Sequence, residues 1–322
     1  MMRCESRARP SGGRRGARAI LAGLLVAAVG SGCASETGKR PDTGPGHAAP
    51  PPAAGQPNGQ PGARPGARAR RPADAPAREN AQLAPAVRTA LAKKWGLVRT
   101  PLVAPPPPAV KPRLTTRAGF EVEGGDDGLP PVFTTVPTKD RVVFLTMDDG
   151  AEKDPELLRM MDELAIPYSA FLTDQEVGDD YGYFGEAQRL GVTANNHTLH
   201  HRYLPGLSYD EQKREICGQQ DVIEKRLGKR PALFRPPYGN YNGDTLRIAR
   251  SCGIRAVPLW NAEAFPDHME WRGDQALHPG DVILTHFRGR GEWGVGMTDL
   301  VRSVMRTITD QGFAVARLED YV

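Results

Sequence analysis

Cysteine is scarce in this chain, with four residues in 322, at positions 4, 33, 217 and 252. Cys217 and Cys252, the two in the globular part, are not spaced as metal ligands, so no thiolate metal module is expected. Long apolar runs are also missing. The stretch Ala19–Val29 is too short for a stable membrane-spanning helix. The helix-borne H-E-x-x-H pattern is absent, which argues against a zinc peptidase of that class. From Ala34 to about Arg78 large apolar residues all but vanish. Such a stretch cannot bury enough surface to offset chain entropy and is expected to be a disordered tether. Excess charge is small, at a formal net +4.

The N-terminus carries a basic segment (Arg3, Arg7, Arg9, Arg14, Arg15, Arg18), then the apolar stretch, then Gly30-Ser31-Gly32-Cys33. That order reads as an export signal ending in a candidate lipobox, with Cys33 the candidate for lipidation. A plain cleaved signal is the alternative. The expected organisation is a signal over 1–33, a Pro/Ala/Gly/Arg-rich linker over 34–80, an arm without a visible core over 81–131, and a compact domain over 132–322. The chain is then exported, either held at the outer face of the membrane through a lipid or secreted. It is expected to be a monomer with no nucleic acid partner. An isolated cysteine pair in an exported domain makes Cys217 and Cys252 a disulfide candidate.

From Val132 onward, strand and helix patterns alternate. Val142–Leu145 is an apolar strand running into Thr146-Met147-Asp148-Asp149-Gly150. Pro155–Leu164 places Leu157, Leu158, Met161 and Leu164 at core spacing for a helix. Ser208-Tyr209-Asp210-Glu211 is a capping box opening a long helix that Gly228 closes. Short strands are expected at Ser169–Leu172, Val192–Ala194, Ala232–Phe234, Ile254–Leu259, Asp281–Leu284 and Phe313–Ala316. This alternation predicts an α/β fold with a parallel sheet closed, or nearly closed, into a barrel, an open doubly wound sheet being the alternative. Polar clusters fall just after the strands, at the edge where parallel α/β folds build their sites.

Three clusters carry chemistry. Asp148 and Asp149 are adjacent carboxylates at a strand end, a pair that a cation or solvent must stabilise. His197-Thr198-Leu199-His200-His201 packs three of the seven histidines into five residues. On a helical turn His197 and His201 share a face and can grip one ion, and His197 with His200 also reaches. His286 follows the apolar strand Val282-Ile283-Leu284 and suits proton transfer near neutral pH. Nitrogen and oxygen ligands with open positions suit a divalent metal: zinc first, cobalt or nickel by ligand type.

These residues fall in five ordered blocks that resemble the polysaccharide deacetylases of the NodB-homology type, carbohydrate esterase family four. The matching blocks are Thr146–Gly150 (T-F-D-D-G, with Met147 for Phe), His197–His201 (H-[ST]-x-x-H), Arg235-Pro236-Pro237-Tyr238-Gly239, the Trp260 region, and Ile283-Leu284-Thr285-His286. The resemblance covers about Val142 to Val322. It implies a distorted (β/α) barrel with fewer than eight full units. It implies metal ligation by Asp149, His197 and His201, with Asp148 as general base and His286 as general acid. Arg235 would orient Asp148, and the backbone N–H of Tyr238 would stabilise the oxyanion. Trp260 would line the acetyl pocket. The implied substrate is a polymer of N-acetylated amino sugars, such as peptidoglycan or a chitin-like oligosaccharide. A non-catalytic envelope sugar binder and an O-acetyl xylan esterase remain alternatives. The fourth block departs from the family pattern: Trp260 is followed by Asn261-Ala262-Glu263-Ala264-Phe265-Pro266-Asp267, without the usual aspartate that helps hold the block-three arginine. The partner of Arg235 is therefore open.

Overall fold

The structure is a computed structural model and describes residues 82–125 and 127–322. The expected signal, Cys33 and the whole of the expected tether and linker lie outside the described residues. Among those described, no helix is long and apolar enough to cross a membrane.

The central strand is β2 (Val142–Asp149), buried along all eight residues, as a parallel strand covered on both faces requires. It is flanked in parallel by β3 (Ser169–Leu172) and β8 (Val282–His286). Beyond β3 lies β4 (Thr193–Asn196). Beyond β8 come β6 (Ala262–Ala264) and an antiparallel β7 (Met269–Trp271). A short β9 (Ala314–Val315) pairs with the start of β2. Pairing continues from β4 through isolated bridges, Asn196 with Phe234 and Leu233 with Ala256. It then passes through β5 (Val257–Pro258) to β1 (Val132–Phe133), and Val282 N donates to Thr134 O at 3.0 Å. Hydrogen bonding therefore runs from one edge strand back to β8, within the α/β fold expected from the sequence. Phe144, Phe171, Leu233 and Val282 belong to one core cluster.

Helices cover the outside. In α2 (Pro155–Glu163), Asp154 caps the Glu156 N–H, Pro155 sits in the first turn, and Leu157, Leu158, Met160 and Met161 are buried, as an amphipathic helix start predicts. The capping box of Ser208 and Glu211 opens α5 (Tyr209–Leu227), and Gly228, at φ +75°, ends it. Helix α6 (Gly243–Ser251) packs beside α5. Cys217 in α5 and Cys252 just after α6 are joined by a disulfide with Cα atoms 5.3 Å apart.

Two features differ from the sequence reading. Ala232–Phe234 contributes single bridges rather than a strand, and the Trp260 block folds into the antiparallel β6–β7 hairpin. The segment before β1 has no core of its own, yet it is fastened along its length. Helix α1 (Pro85–Lys94) buries Ala92. Trp95 Nε1 donates to Glu163 at 2.7 Å, Arg99 pairs with Asp310 at 2.6 Å, Leu102 bridges Ala314, and Arg117 N donates to Val132 O at 2.8 Å. The partners lie far along the chain, so local pattern could not reveal them.

Candidate active site

The site is built where β2 ends. Neighbouring residues of a regular strand face opposite sides. Asp149 instead has φ +75° and Gly150 φ +96°, and this break lets both carboxylates reach one place. Asp148 Oδ2 and Asp149 Oδ1 lie 3.5 and 3.7 Å from His197 Nε2. Gly150 is required as well as tolerated: a Cβ there would stand 2.8 Å from Val177 Cγ2.

His197 follows β4 directly. Its Nδ1 is 2.7 Å from the Arg235 carbonyl oxygen. A carbonyl only accepts, so Nδ1 carries the hydrogen and Nε2 presents its lone pair to the carboxylates. His201 Nε2 lies 3.5 Å from Asp149 Oδ1, and the two imidazole rings are 4.8 Å apart. The helical-turn reading of this pair is corrected. Residues 197–203 form a loop with positive φ at Thr198 and His201. Asn196 Oδ1 accepts from Thr198 N, and Thr198 Oγ1 accepts from His201 N, at 2.8 and 3.1 Å. His200 turns away to Glu215, at 2.9 Å.

One ligand atom each from Asp149, His197 and His201 lie within 4.8 Å of one another. The donor set fits a divalent cation. Asp149 Oδ1 is buried with no hydrogen-bond partner among the described residues, and both imidazoles are held neutral. Burial pushes His197 down to about 4, and burial with the neighbouring His197 pushes His201 down. Burial alone would raise Asp149, but His197, His286, His201 and a hydrogen bond from Arg288 outweigh it and hold the carboxylate ionised.

Asp148 differs from its neighbour. Burial, aided by the Asp149 charge, pushes its carboxyl up to about 6 against the opposing pull of Arg235 and His286. Arg235 is fully buried. Its Nη1 donates to Asp148 Oδ1 at 2.6 Å and to Thr146 Oγ1 at 2.9 Å, and its Nε donates to Pro258 O at 2.8 Å. So Nε and Nη1 of Arg235 have partners without a fourth-block aspartate, while its buried Nη2 has no hydrogen-bond partner among the described residues. Asp267 is exposed and bonded to His268 at 2.8 Å.

His286 ends β8 in register with Asp148, and burial lowers its basicity. Its Nδ1 lies 3.7 Å from Glu263 Oε1. Burial, with Glu270 and Asp148 nearby, pushes Glu263 up to about 7. Tyr238 sits at φ +61° in the tight turn Pro237–Gly239. It is 61% exposed, and its ring is 4.7 Å from that of His201. Trp260 packs against Gly239, where a Cβ would come within 3.1 Å of its ring.

Sequence reasoning missed two residues here. Arg288 Nη2 donates to Asp149 Oδ2 at 2.7 Å and its other nitrogen engages Glu292. Its sequence signal was a cation two residues past His286. Glu263 is the second, an acid three residues after Trp260 in the block where the family pattern has aspartates.

The comparisons with known proteins agree with this fold. Residues 135–257 match the family model for polysaccharide deacetylase. An uncharacterized protein of Streptomyces coelicolor is 42% identical over 209 residues, 64% of this chain and 83% of its own length. The peptidoglycan-N-acetylmuramic acid deacetylase PdaC of Bacillus subtilis is 29% identical over 208 residues, 59% of this chain and 41% of that protein. A crystal structure of a CE4-family pseudoenzyme from Bacillus anthracis shares the fold, with a TM-score of 0.51 and 18% identity over 60% of this chain and 69% of the other. The chain belongs to the polysaccharide deacetylase family. Its members are hydrolases acting on carbon–nitrogen bonds other than peptide bonds.

Proposed function

We propose that this site removes acetyl groups from N-acetylated amino sugars of a cell-envelope polysaccharide, using a divalent ion, zinc first, held by Asp149, His197 and His201. The observation that carries the reading is the convergence of those three ligand atoms within 4.8 Å beside a buried carboxylate and a partly buried histidine. A bound ion supplies Lewis acidity and lowers the pKa of water to about 7. Asp148 accepts the proton of the attacking water, a role suited to a carboxyl poised at about 6. Arg235 holds Asp148 by a charge-assisted hydrogen bond of 2.6 Å. His286 gives a proton to the departing nitrogen. The backbone N–H of Tyr238 stabilises negative charge on the acetyl oxygen, and Trp260 lines the pocket. Anchorage through a lipid on Cys33 would hold the monomer at the outer face of the membrane.

The test is acetate release from peptidoglycan, chito-oligosaccharides and acetylated xylan, with and without chelator. Asp148→Asn should keep the bound ion and lose at least about a hundredfold in turnover. Turnover that survives full removal of metal would reject the reading.

A further inference from the structure

The site has a second wall that the proposed chemistry does not use. Two arginines from distant parts of the chain both contact Asn261, Arg117 through its guanidinium and Arg272 through its backbone. Arg117, from the segment preceding β1, donates from Nη1 to Asn261 Oδ1 at 3.3 Å and also to Thr134. Arg272, just past β7, donates its backbone N–H to Asn261 O at 3.0 Å. Both side chains are exposed. The Arg272 guanidinium lies 4.8 Å from the Trp260 ring and that of Arg117 lies 5.3 Å from Phe120. Aromatic faces thus brace each planar group, while Nε and Nη2 of Arg117 and the guanidinium donors of Arg272 have no acceptor among the described residues.

This wall is continuous with the metal triad. His201 touches Tyr238, Tyr238 precedes Gly239, and Gly239 packs on Trp260 and Arg272. No carboxylate pairs with Arg117 or Arg272 among the described residues. The two acids of the hairpin face histidines instead: Glu263 is 3.7 Å from His286 and Glu270 is 3.8 Å from His268. Arg117 and Arg272 repel each other, and Glu263 offsets part of the charge on Arg272; two guanidinium groups facing one such acid leave positive charge that a bound anion would relieve. An arginine fork recognises a carboxylate in particular, since its planar donors match both oxygens.

We infer that Arg117 and Arg272 form a carboxylate subsite beside the acetamide pocket, so that the preferred substrate is an amino sugar polymer carrying a carboxylate near the acetamido group, as the lactyl ether of muramic acid does. The inference rests on the deacetylase reading and names its substrate class. A neutral chitin-like polymer offers nothing to this pair.

The test compares three substrates by kcat/KM for acetate release: peptide-stripped peptidoglycan strands with free lactyl carboxylates, the same strands with those carboxyls converted to methylamides, and a chito-oligosaccharide of equal length. The full chain should favour the free carboxylate over its amide by about tenfold, the worth of one charge-assisted contact. In Arg117→Gln/Arg272→Gln that ratio should fall to near one, and Arg117→Lys/Arg272→Lys should restore part of it. Equal rates on carboxylate and amide in the unaltered chain would overturn the subsite. So would a Gln variant that keeps the preference or slows both strands equally. Absence of acetate release from every substrate would instead defeat the deacetylase reading itself.

Discussion

Arg288 Nη2 sits 2.7 Å from Asp149 Oδ2, while Asp149 Oδ1 faces the two imidazoles. One oxygen of the carboxylate is thus tied down and the other is aimed. A neighbour that orients a metal ligand typically contributes tenfold to a hundredfold in affinity. Arg288→Ala should weaken binding of a divalent ion by about tenfold, read by competition against a chromogenic chelator. Unchanged affinity would show that the loop alone orients Asp149.

The pH dependence of turnover follows from Asp148 and His286. A base must be ionised, and Asp148 is pushed up to about 6 by burial. A cation on the adjacent triad favours the ionised form and draws that value downward. The acid limb of kcat/KM should therefore lie at or below about pH 6. His286 must be protonated to act as an acid, and burial lowers its affinity for the proton. The alkaline limb should consequently begin early, giving a narrow bell. A flat profile from pH 5 to 9 would remove both groups from proton transfer.

Glu263 links the site to stability. Its folded carboxyl is raised from 4.5 to about 7 by burial, with Glu270 and Asp148 adding to the effect. A raised acid favours the folded state while it stays protonated. Its contribution is complete below about pH 4.5 and is lost as the pH rises through 7. Relative to Glu263→Gln, the parent chain should therefore lose melting temperature between pH 5 and pH 8. Parallel melting curves for the two across that range would show that Glu263 is already ionised in the folded state.

The Cys217–Cys252 bond closes a loop over a sequence separation of 35 residues and ties α5 to the end of α6. A loop of that size restricts the unfolded chain by roughly 3–4 kcal/mol. Cys217→Ser/Cys252→Ser should lower unfolding free energy by about that much in urea, and added reductant should produce a like loss in the parent chain. Loss of less than about 1 kcal/mol would mean that helix packing alone holds the two elements together.

What could be read from the chain alone was whatever depends on neighbours in sequence. The capping box at Ser208, the stripe of Leu157, Leu158 and Met161, and the buried run of β2 are local patterns, and each became the element it predicted. The carboxylate pair and the histidine cluster were visible for the same reason. Less legible was how the histidines meet. Their spacing of four suggested a helix, but positive φ at Thr198 and His201 makes a loop that serves the same end.

The order of residues by itself determined the strand–helix alternation, the strand ends that carry Asp148, His197 and His286, and the chemistry those side chains are capable of, because short-range periodicity and residue type act before any long-range contact forms. Only the tertiary structure decided that Arg288 anchors Asp149, that Glu263 stands by His286, and that Arg117 reaches Asn261 across 144 positions. Those pairings arise from the side-by-side packing of strands distant in sequence, which brings together groups whose separation along the chain carries no trace of their distance in space.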